Sequence, residues 1–306
     1  MIILDIKESK LGSVKTLMGL LPSLSEPGYT IFYRGHNDKK FELTPSIYRK
    51  NEWFTNESKI IREIIGRCPN EFQHMKTSFE KLVKMQHYDL PTRLLDVTEN
   101  PLVALYFACL SKENEPDKDG ELLLFKVPNK LIRYYDSDRV TILSNLAWSD
   151  NNFEVLGKHN NSNSFHKKDN EHAIKLMHNI RQEKPHFTEN INPSDLSSVV
   201  CVKPKMDNQR VIRQDGAFLL FGIDGNKHKP ASIDKEWKYN PENKKYIINH
   251  NDKATILKQL ESIGISKAKL FPEIDMVSQF IKDTYDLEKN DFNSTYRRPT
   301  RLNIGF

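Results

Sequence analysis

The sequence is poor in cysteine and lacks any long apolar run. Three cysteines, Cys68, Cys109 and Cys201, occur in 306 residues, and none belongs to a CxxC pair. An odd and dispersed set argues against a disulfide framework and indicates a reducing compartment. No run of about 18 apolar residues is present, so neither a membrane span nor a membrane partner is expected. The opening MIILDIKESK is too acidic for a signal peptide, and we expect a cytoplasmic protein.

Common ligand-binding motifs are missing as well. The ten histidines are dispersed, with no HExxH and no Cys/His cluster at zinc spacing, so no metal site is predicted. The 12 glycines form no phosphate-binding loop of either common kind, and no GxSxG elbow occurs. Any nucleotide chemistry must therefore use a different arrangement of residues.

What remains is the composition of a globular protein, with 38% hydrophobic and 28% charged residues. Its length suits one large domain or two small ones with a substantial core. The net charge of +5 is modest. Scattered lysines solvate a surface more often than they bind nucleic acid, so a nucleic-acid partner is only weakly supported.

The order of the predicted elements indicates the fold class. Helical patterns come early, strands are scattered and come late, and no regular βαβ alternation occurs. We predict an α+β fold with a mixed or antiparallel sheet and flanking helices. We expect one domain over residues 1–282, with polar inserts at 151–170 and 222–245 and a polar tail at 283–306.

Arg34 is the first candidate site residue, because it follows an apolar strand that begins at Tyr29 and precedes Gly35. A glycine lets a ligand or another backbone come close. A guanidinium matches the oxygens of a phosphate or carboxylate. The alternative is a structural salt bridge at the end of a strand.

Residues 85–108, MQHYDLPTRLLDVTENPLVALYFA, crowd polar side chains against an apolar helix. Asp96 and Thr98 are two apart, so an extended backbone places them on one face. Asn100 caps the predicted helix, whose free N–H groups suit an anion. The alternative is a loop braced by an Arg93–Asp96 pair and by a turn bond from Thr98.

Two further residues are ambiguous from the sequence. His87 by itself is more often a core histidine than a general base. Gln214 lies in a polar segment just before a strand and can hydrogen-bond a sugar hydroxyl or an amide. The Asp215-Gly216 pair beside it is also an ordinary turn signal.

Together these pieces resemble the FRG-domain family, named for a Phe-Arg-Gly tripeptide that here reads Tyr33-Arg34-Gly35. The resemblance spans roughly residues 29–281 and departs from the family at Tyr33 and at the polar insert. The stretches that carry it are 43–49, 85–98, 101–108, 210–218 and 264–272.

The motif order of the family is similar to that of ADP-ribosyltransferases with an Arg–Ser/Thr–Glu arrangement, which implies that type of fold and NAD as co-substrate. Arg34 matches the first position, and Thr98, with Asp96, occupies the second without the usual Ser-Thr-Ser spelling. Gln214 stands where an acid is expected, and since Gln is no general base, His87 or Asp96 would have to act instead.

The resemblance implies two groups of site residues. The implied catalytic residues are Arg34, Thr98, Gln214 and His87. Tyr88 or Tyr106 would stack on the nicotinamide. The implied NAD-binding residues are Arg34, Gly35, Tyr88, Arg93, Asp96 and Tyr106.

Three functions stay open. The first is an NAD-consuming ADP-ribosyltransferase, an intracellular toxin or phage-defence effector with a macromolecular acceptor and an antitoxin or immunity protein as partners. The second is a non-catalytic binding module in which Arg34, Arg93 and Asp96 form a buried network. The third is a nucleic-acid-processing protein that uses His87, Arg93, Asp96 and the lysine-rich surface.

Overall fold

The computed structural model describes residues 7–111, 118–155, 170–188 and 191–273. Of the predicted insert at 151–170, residues 156–169 lie outside this part of the chain, and so does the predicted tail at 283–306. The statements that follow concern the described residues.

In the part of the chain that the structure describes, ten strands form one large sheet and one hairpin. They are β1 (Lys7–Lys10), β2 (Tyr29–His36), β3 (Leu94–Thr98), β4 (Gly120–Pro128), β5 (Arg133–Tyr134), β6 (Val199–Lys203), β7 (Gly216–Phe221), β8 (Ile223–Asp224), β9 (Asn226–Pro230) and β10 (Lys244–Ile248). The large sheet has the order β1-β10-β4-β2-β3-β7-β6-β5, and β8 pairs with β9. The outermost pairs of the large sheet, β1–β10 and β5–β6, are parallel, and the inner pairs are antiparallel.

Twelve α-helices flank the sheet in the described residues. They are α1 (Val14–Leu24), α2 (Asn51–Thr55), α3 (Glu57–Arg67), α4 (Pro69–Phe72), α5 (Ser78–His87), α6 (Pro101–Cys109), α7 (Asp138–Asn145), α8 (Glu171–Glu183), α9 (Pro193–Leu196), α10 (Gln209–Arg213), α11 (Lys253–Ser262) and α12 (Lys267–Leu270). A mixed sheet with flanking helices confirms the predicted α+β class. None of the described helices is long and apolar enough to cross a bilayer.

Alternation along the strands divides the core between the two faces of the sheet. In β7, Phe218 and Leu220 pack on one face, against α5, α7 and α8, whereas Ala217 and Leu219 pack on the other. A further cluster lies between α1, α6, α11 and the strands β2, β4 and β10. Helix α6 is buried over most of its length, as its apolar composition predicts.

The segment 222–245 is more than the surface excursion that its polarity predicts. Its few apolar side chains, among them Ala231, Ile233 and Trp237, are buried against the sheet. Lys227 in β9 is also buried, with 1% of its surface exposed. The low average hydropathy of this segment therefore hides a small number of well-buried residues.

Candidate functional site

The candidate site lies where the two central strands of the sheet separate. β2 and β3 share a single register pair, Tyr33 with Thr98. Continued antiparallel pairing would set Gly35 opposite Asp96, but the ladder stops before that point. The strands therefore open a cleft in the middle of the sheet, and Arg34 points its guanidinium across the opening to the backbone of Asp96.

The cleft has a volume of about 200 Å³ and is lined by residues from six elements and their connections. Apolar side chains of β3, α6 and β7 form part of its wall, and polar side chains come from β2, α5, β3, α10 and the turn that follows α10. The lining residues are Tyr33, Arg34, Gly35, Gln86, His87, Asp89, Asp96, Val97, Thr98, Val103, Ala104, Phe107, Arg210, Val211, Gln214, Gly216, Ala217 and Phe218. An apolar pocket with a few converging polar groups is the usual form of a small-molecule site.

Arg34 is held at the mouth of the cleft but is not fully paired. Its Nη1 donates to the Asp96 carbonyl oxygen at 2.6 Å and lies 3.9 Å from the Asp96 carboxylate. Its side chain is 16% exposed. Burial and the charge of Arg49 lower its pKa to about 10, so it stays cationic at neutral pH. The guanidinium has further N–H groups that can bind an anion.

His36 orients Arg34 and was missed by the sequence analysis. The Arg34 Nε donates to His36 Nε2 at 3.0 Å. Burial and the neighbouring Arg34 lower the pKa of His36 to about 3, so the ring is neutral and can accept this bond. The signal in the sequence was the spacing of two, which puts both side chains on one face of a strand.

Asp96 presents a carboxylate to the cleft, as predicted. Gln86 Nε2 donates to Asp96 Oδ2 at 2.8 Å, and Thr92 Oγ1 donates to Gln86 Oε1 at 2.6 Å. The second bond fixes which end of the Gln86 amide faces Asp96. Because the Asp96 side chain is 56% exposed, an incoming ligand can reach the carboxylate.

Thr98 and Gln214 also lie in the cleft wall, so the three residues matched to the motif positions line one cleft. The Thr98 hydroxyl donates to the Gln214 carbonyl oxygen at 2.6 Å and accepts from Asn100 N at 2.9 Å. Thr98 therefore braces the turn that carries Gln214. Gln214 Nε2 donates to Leu270 O at 3.0 Å, which leaves its amide oxygen as the group that can accept a ligand hydroxyl.

The hydrogen bonds of His87 define its tautomer. Asn208 Oδ1 caps α10, so Asn208 Nδ2 must be the donor to His87 Nδ1 at 2.7 Å. The proton of the neutral ring is then on Nε2. Burial and the charge of Arg210 lower the pKa of His87 to about 4. In this state His87 is a neutral hydrogen-bond donor through Nε2–H, and its Nδ1 accepts from Asn208.

Glycine is needed at position 35 because α6 packs closely against the backbone there. A Cβ at this position would lie 2.0 Å from the Ala104 carbonyl oxygen and 2.5 Å from Ala108 N. The close approach anticipated from the sequence is thus made by another backbone, although Gly35 also lines the cleft. Its absent side chain lets α6 pack directly on β2.

Arg93 does not reach the cleft, which corrects its predicted role in NAD binding. Its side chain is fully buried and forms a bidentate pair with Glu57, at 2.9 Å and 2.5 Å. Arg93 also donates to Phe221 O, and Lys227 Nζ lies 3.1 Å from the same Glu57 carboxylate. The predicted Arg93–Asp96 pair is also wrong, because Arg93 pairs with a residue on α3.

Both tyrosines predicted to stack on nicotinamide lie outside the cleft lining. Tyr88 is 61% exposed, and Lys84 Nζ lies over its ring. Tyr106 is buried in the core beside α11. The next residue on α6, Phe107, lines the cleft instead. Adjacent side chains on a helix point about 100° apart, so Tyr106 and Phe107 face different surroundings. The prediction assigned the ligand contact to Tyr106, whereas Phe107 is the one in the cleft lining.

The start of α6 is not available to an anion. Asn100 Oδ1 accepts from Leu102 N at 3.0 Å and from Val103 N at 3.4 Å. Asn100 Nδ2 donates to Asp215, which places a carboxylate beside the helix end. The predicted cap is confirmed, and it occupies the N–H groups that were expected to hold a ligand.

In the described chain no group of three or more His, Cys, Asp or Glu side chains could hold a metal ion.

Comparison with known families supports the resemblance. A family model of the FRG domain matches residues 29–118, which include β2, α5, β3 and α6. No curated protein and no solved structure gives a significant match. The matched span contributes Arg34, Asp96 and Thr98 to the cleft, whereas Gln214 and Arg210 lie beyond it.

Proposed function

We propose that this chain, which carries an FRG domain, is an ADP-ribosyltransferase-like enzyme that consumes NAD. It would break the bond between nicotinamide and ribose and transfer ADP-ribose to an acceptor. The observation that carries the proposal is the presence of Arg34, Thr98 and Gln214 in one cleft, from β2, β3 and the turn before β7. This is the motif order that the sequence shares with such transferases.

The side chains of the cleft are suited to separate parts of that ligand. Arg34 would hold a phosphate next to the reacting ribose, because guanidinium binds phosphate oxygens in bidentate fashion. The Gln214 amide oxygen would accept from a ribose hydroxyl. The Nε2–H of His87 would donate to the nicotinamide carboxamide, while Phe107 would cover the ring.

The reaction separates a neutral leaving group from a cationic sugar. The C1′–N bond breaks with its electron pair passing to the nicotinamide nitrogen, which leaves an oxocarbenium-like ribose. A nucleophile of the acceptor then forms a bond to C1′ and loses a proton. Asp96, whose carboxylate lines the cleft, would stabilise the ribose charge and accept that proton.

Incubation of the purified chain with NAD, labelled in its adenine, and a cell lysate tests the proposal. We expect free nicotinamide together with labelled protein or nucleic acid. An Asp96→Asn variant should release nicotinamide at least about 100-fold more slowly, as removal of one transition-state contact commonly does. The exposed Arg213, outside the cleft lining, supplies a control as Arg213→Gln. Absence of nicotinamide release from the wild type would contradict the proposal.

One observation favours a second candidate, a binding module for the same ligand without turnover. The position expected to hold an acid is Gln214, and its Nε2 is committed to Leu270 O. Under this alternative the wild type binds NAD without releasing nicotinamide, and Gln214→Glu introduces slow release. Direct release by the wild type excludes it.

The proposed activity would also account for the expected role as a toxin or defence effector. Depletion of NAD or modification of a host target would make the chain an intracellular toxin or a phage-defence effector, controlled by an antitoxin or immunity protein. Expression in a host cell of the wild type and of Asp96→Asn, with cellular NAD measured, tests this. We expect NAD loss and growth arrest with the wild type alone.

A further inference from the structure

A second cavity continues from the cleft past Arg34. It has a volume of about 450 Å³, and we call it the outer groove. It shares Arg34, Gln86, Asp89 and Asp96 with the cleft, so the two form a continuous depression. The residues that belong to the outer groove alone are Ser46, Arg49, Lys50, Trp53, Leu90, Pro91, Leu94 and Leu95.

The outer groove carries positive charge that the fold does not neutralise. Arg49 and Lys50 are exposed, and within the described part of the chain neither forms an ion pair. Arg49 lies close enough to Arg34 that its charge helps to lower the pKa of that guanidinium. Asp96 faces Arg34, and Asp89 is the other carboxylate in the wall, so the excess of cations is on the side of Arg49 and Lys50.

An aromatic side chain lies at the same end of the groove. Trp53 on α2 is half-buried and lines the wall. Lys50 Nζ lies 4.6 Å from the centroid of its ring, so this ring already accepts a cation on its face. When the flexible Lys50 side chain moves to a phosphate, a heterocyclic base can stack on this indole face, and such stacking contributes substantially to nucleotide binding.

We propose that the outer groove binds the nucleoside diphosphate half of the ligand. Arg34 and Arg49, with Lys50, contact the two phosphates, and the base stacks on Trp53. The other half of the ligand then enters the cleft beside Gln214 and His87. The identity of this ligand as a dinucleotide rests on the proposed function, whereas recognition of a nucleoside diphosphate stands on the groove itself.

Calorimetric titration of the full chain with ADP-ribose, ADP and nicotinamide riboside tests the proposal. We expect the double variant Arg49→Gln/Lys50→Gln to raise the Kd of ADP-ribose and of ADP about tenfold or more. Trp53→Leu should weaken both ligands and leave inorganic pyrophosphate unaffected. Nicotinamide riboside has no phosphate, so its binding should not change. Arg213→Gln, which removes an exposed arginine elsewhere, should bind ADP-ribose like the wild type.

Two results would overturn the proposal. One is an unchanged Kd for ADP-ribose in the double variant. The other is tighter binding of a single-stranded oligonucleotide than of ADP-ribose, with affinity falling steeply with salt, which would assign the groove to nucleic acid. The proposed function fails separately: binding that depends on Arg49 without nicotinamide release retains the groove and refutes turnover. Nicotinamide release with an unchanged KM for NAD in the double variant would retain the proposed function and refute the groove.

Discussion

Two arginines on neighbouring elements of the central sheet have opposite environments. Arg93, just before β3, is fully buried and paired with Glu57 through two hydrogen bonds. Arg34, near the end of β2, reaches a backbone carbonyl and a neutral histidine, and its nearest carboxylate oxygen is 3.9 Å away. A completely satisfied buried arginine belongs to the fold, whereas an incompletely paired one at a cleft is available to a ligand.

Within the polar segment at 85–98, one residue supports the fold and others face the cleft. Arg93 connects β3 to α3 through Glu57, and Lys227 brings the hairpin β8–β9 to the same carboxylate. Burial opposes ionisation of Glu57, but the two cations keep its pKa below its ordinary value. Gln86 and Asp96, by contrast, face the cleft and are open to solvent or ligand.

The largest expected effect comes from removing the buried carboxylate. Glu57→Ala leaves Arg93 and Lys227 as buried like charges without a counter-ion, and we expect a loss of about 3–5 kcal/mol in the free energy of unfolding. Urea denaturation measures it. Glu63→Ala breaks an exposed pair with Arg67 and should cost less than about 0.5 kcal/mol. Equal losses of unfolding free energy in the two variants would contradict the structural role given to the buried Glu57–Arg93 pair.

Arg34→Ala should show the opposite pattern. Because Arg34 borders open space and its partners can rehydrate, we expect the free energy of unfolding to fall by only about 1 kcal/mol. Nicotinamide release should fall at least about 100-fold, since the phosphate contact is lost. Denaturation and activity assays on the same preparation check both. A loss of stability comparable to that of Glu57→Ala would make Arg34 structural.

The pH dependence of stability tests the neutral state of His36. Its pKa is about 3 in the folded chain and about 6.5 when unfolded, so the unfolded state binds the extra proton between these values. Stability contributed by His36 is complete above pH 6.5 and falls with pH at up to about 1.4 kcal/mol per unit. His36→Gln, which keeps an acceptor for Arg34, should reduce this slope. An unchanged slope would show that His36 is protonated in the fold.

The smallest expected effect concerns the tautomer of His87. Asn208→Asp keeps the cap on α10 but replaces the amide donor at His87 Nδ1 with an acceptor. Stability at neutral pH should change by less than about 1 kcal/mol, and the pKa of His87 should rise from about 4. An NMR titration of the imidazole measures the shift. A pKa that stays at the wild-type value would contradict the assigned hydrogen bond.

Local patterns predicted much of the fold. The Asn100-Pro101 start of α6 and the apolar strand that begins at Tyr29 appear where the sequence placed them, because caps and periodicity depend on neighbours within a few positions. The family resemblance singled out Arg34, Thr98 and Gln214, and these three residues line one cleft.

The missed features depend on contacts between distant parts of the chain. The partner of Arg93 is Glu57, which is 36 positions away, and no local pattern joins them. The separation of β2 from β3 after one register pair is a property of sheet pairing, so the position of the cleft could not be read from either strand. The choice of Phe107 over Tyr106 depends on the rotation of α6, which Gly35 sets by close packing.

The most direct test of the account is the equilibrium binding of NAD by the wild type and by Arg34→Ala. We predict one saturable site in the wild type and a Kd at least about tenfold higher in the variant, with both proteins folded. Saturable binding that is unchanged by the loss of the Arg34 guanidinium, or no binding at millimolar NAD, would contradict the claim that the opening between β2 and β3 is the ligand site.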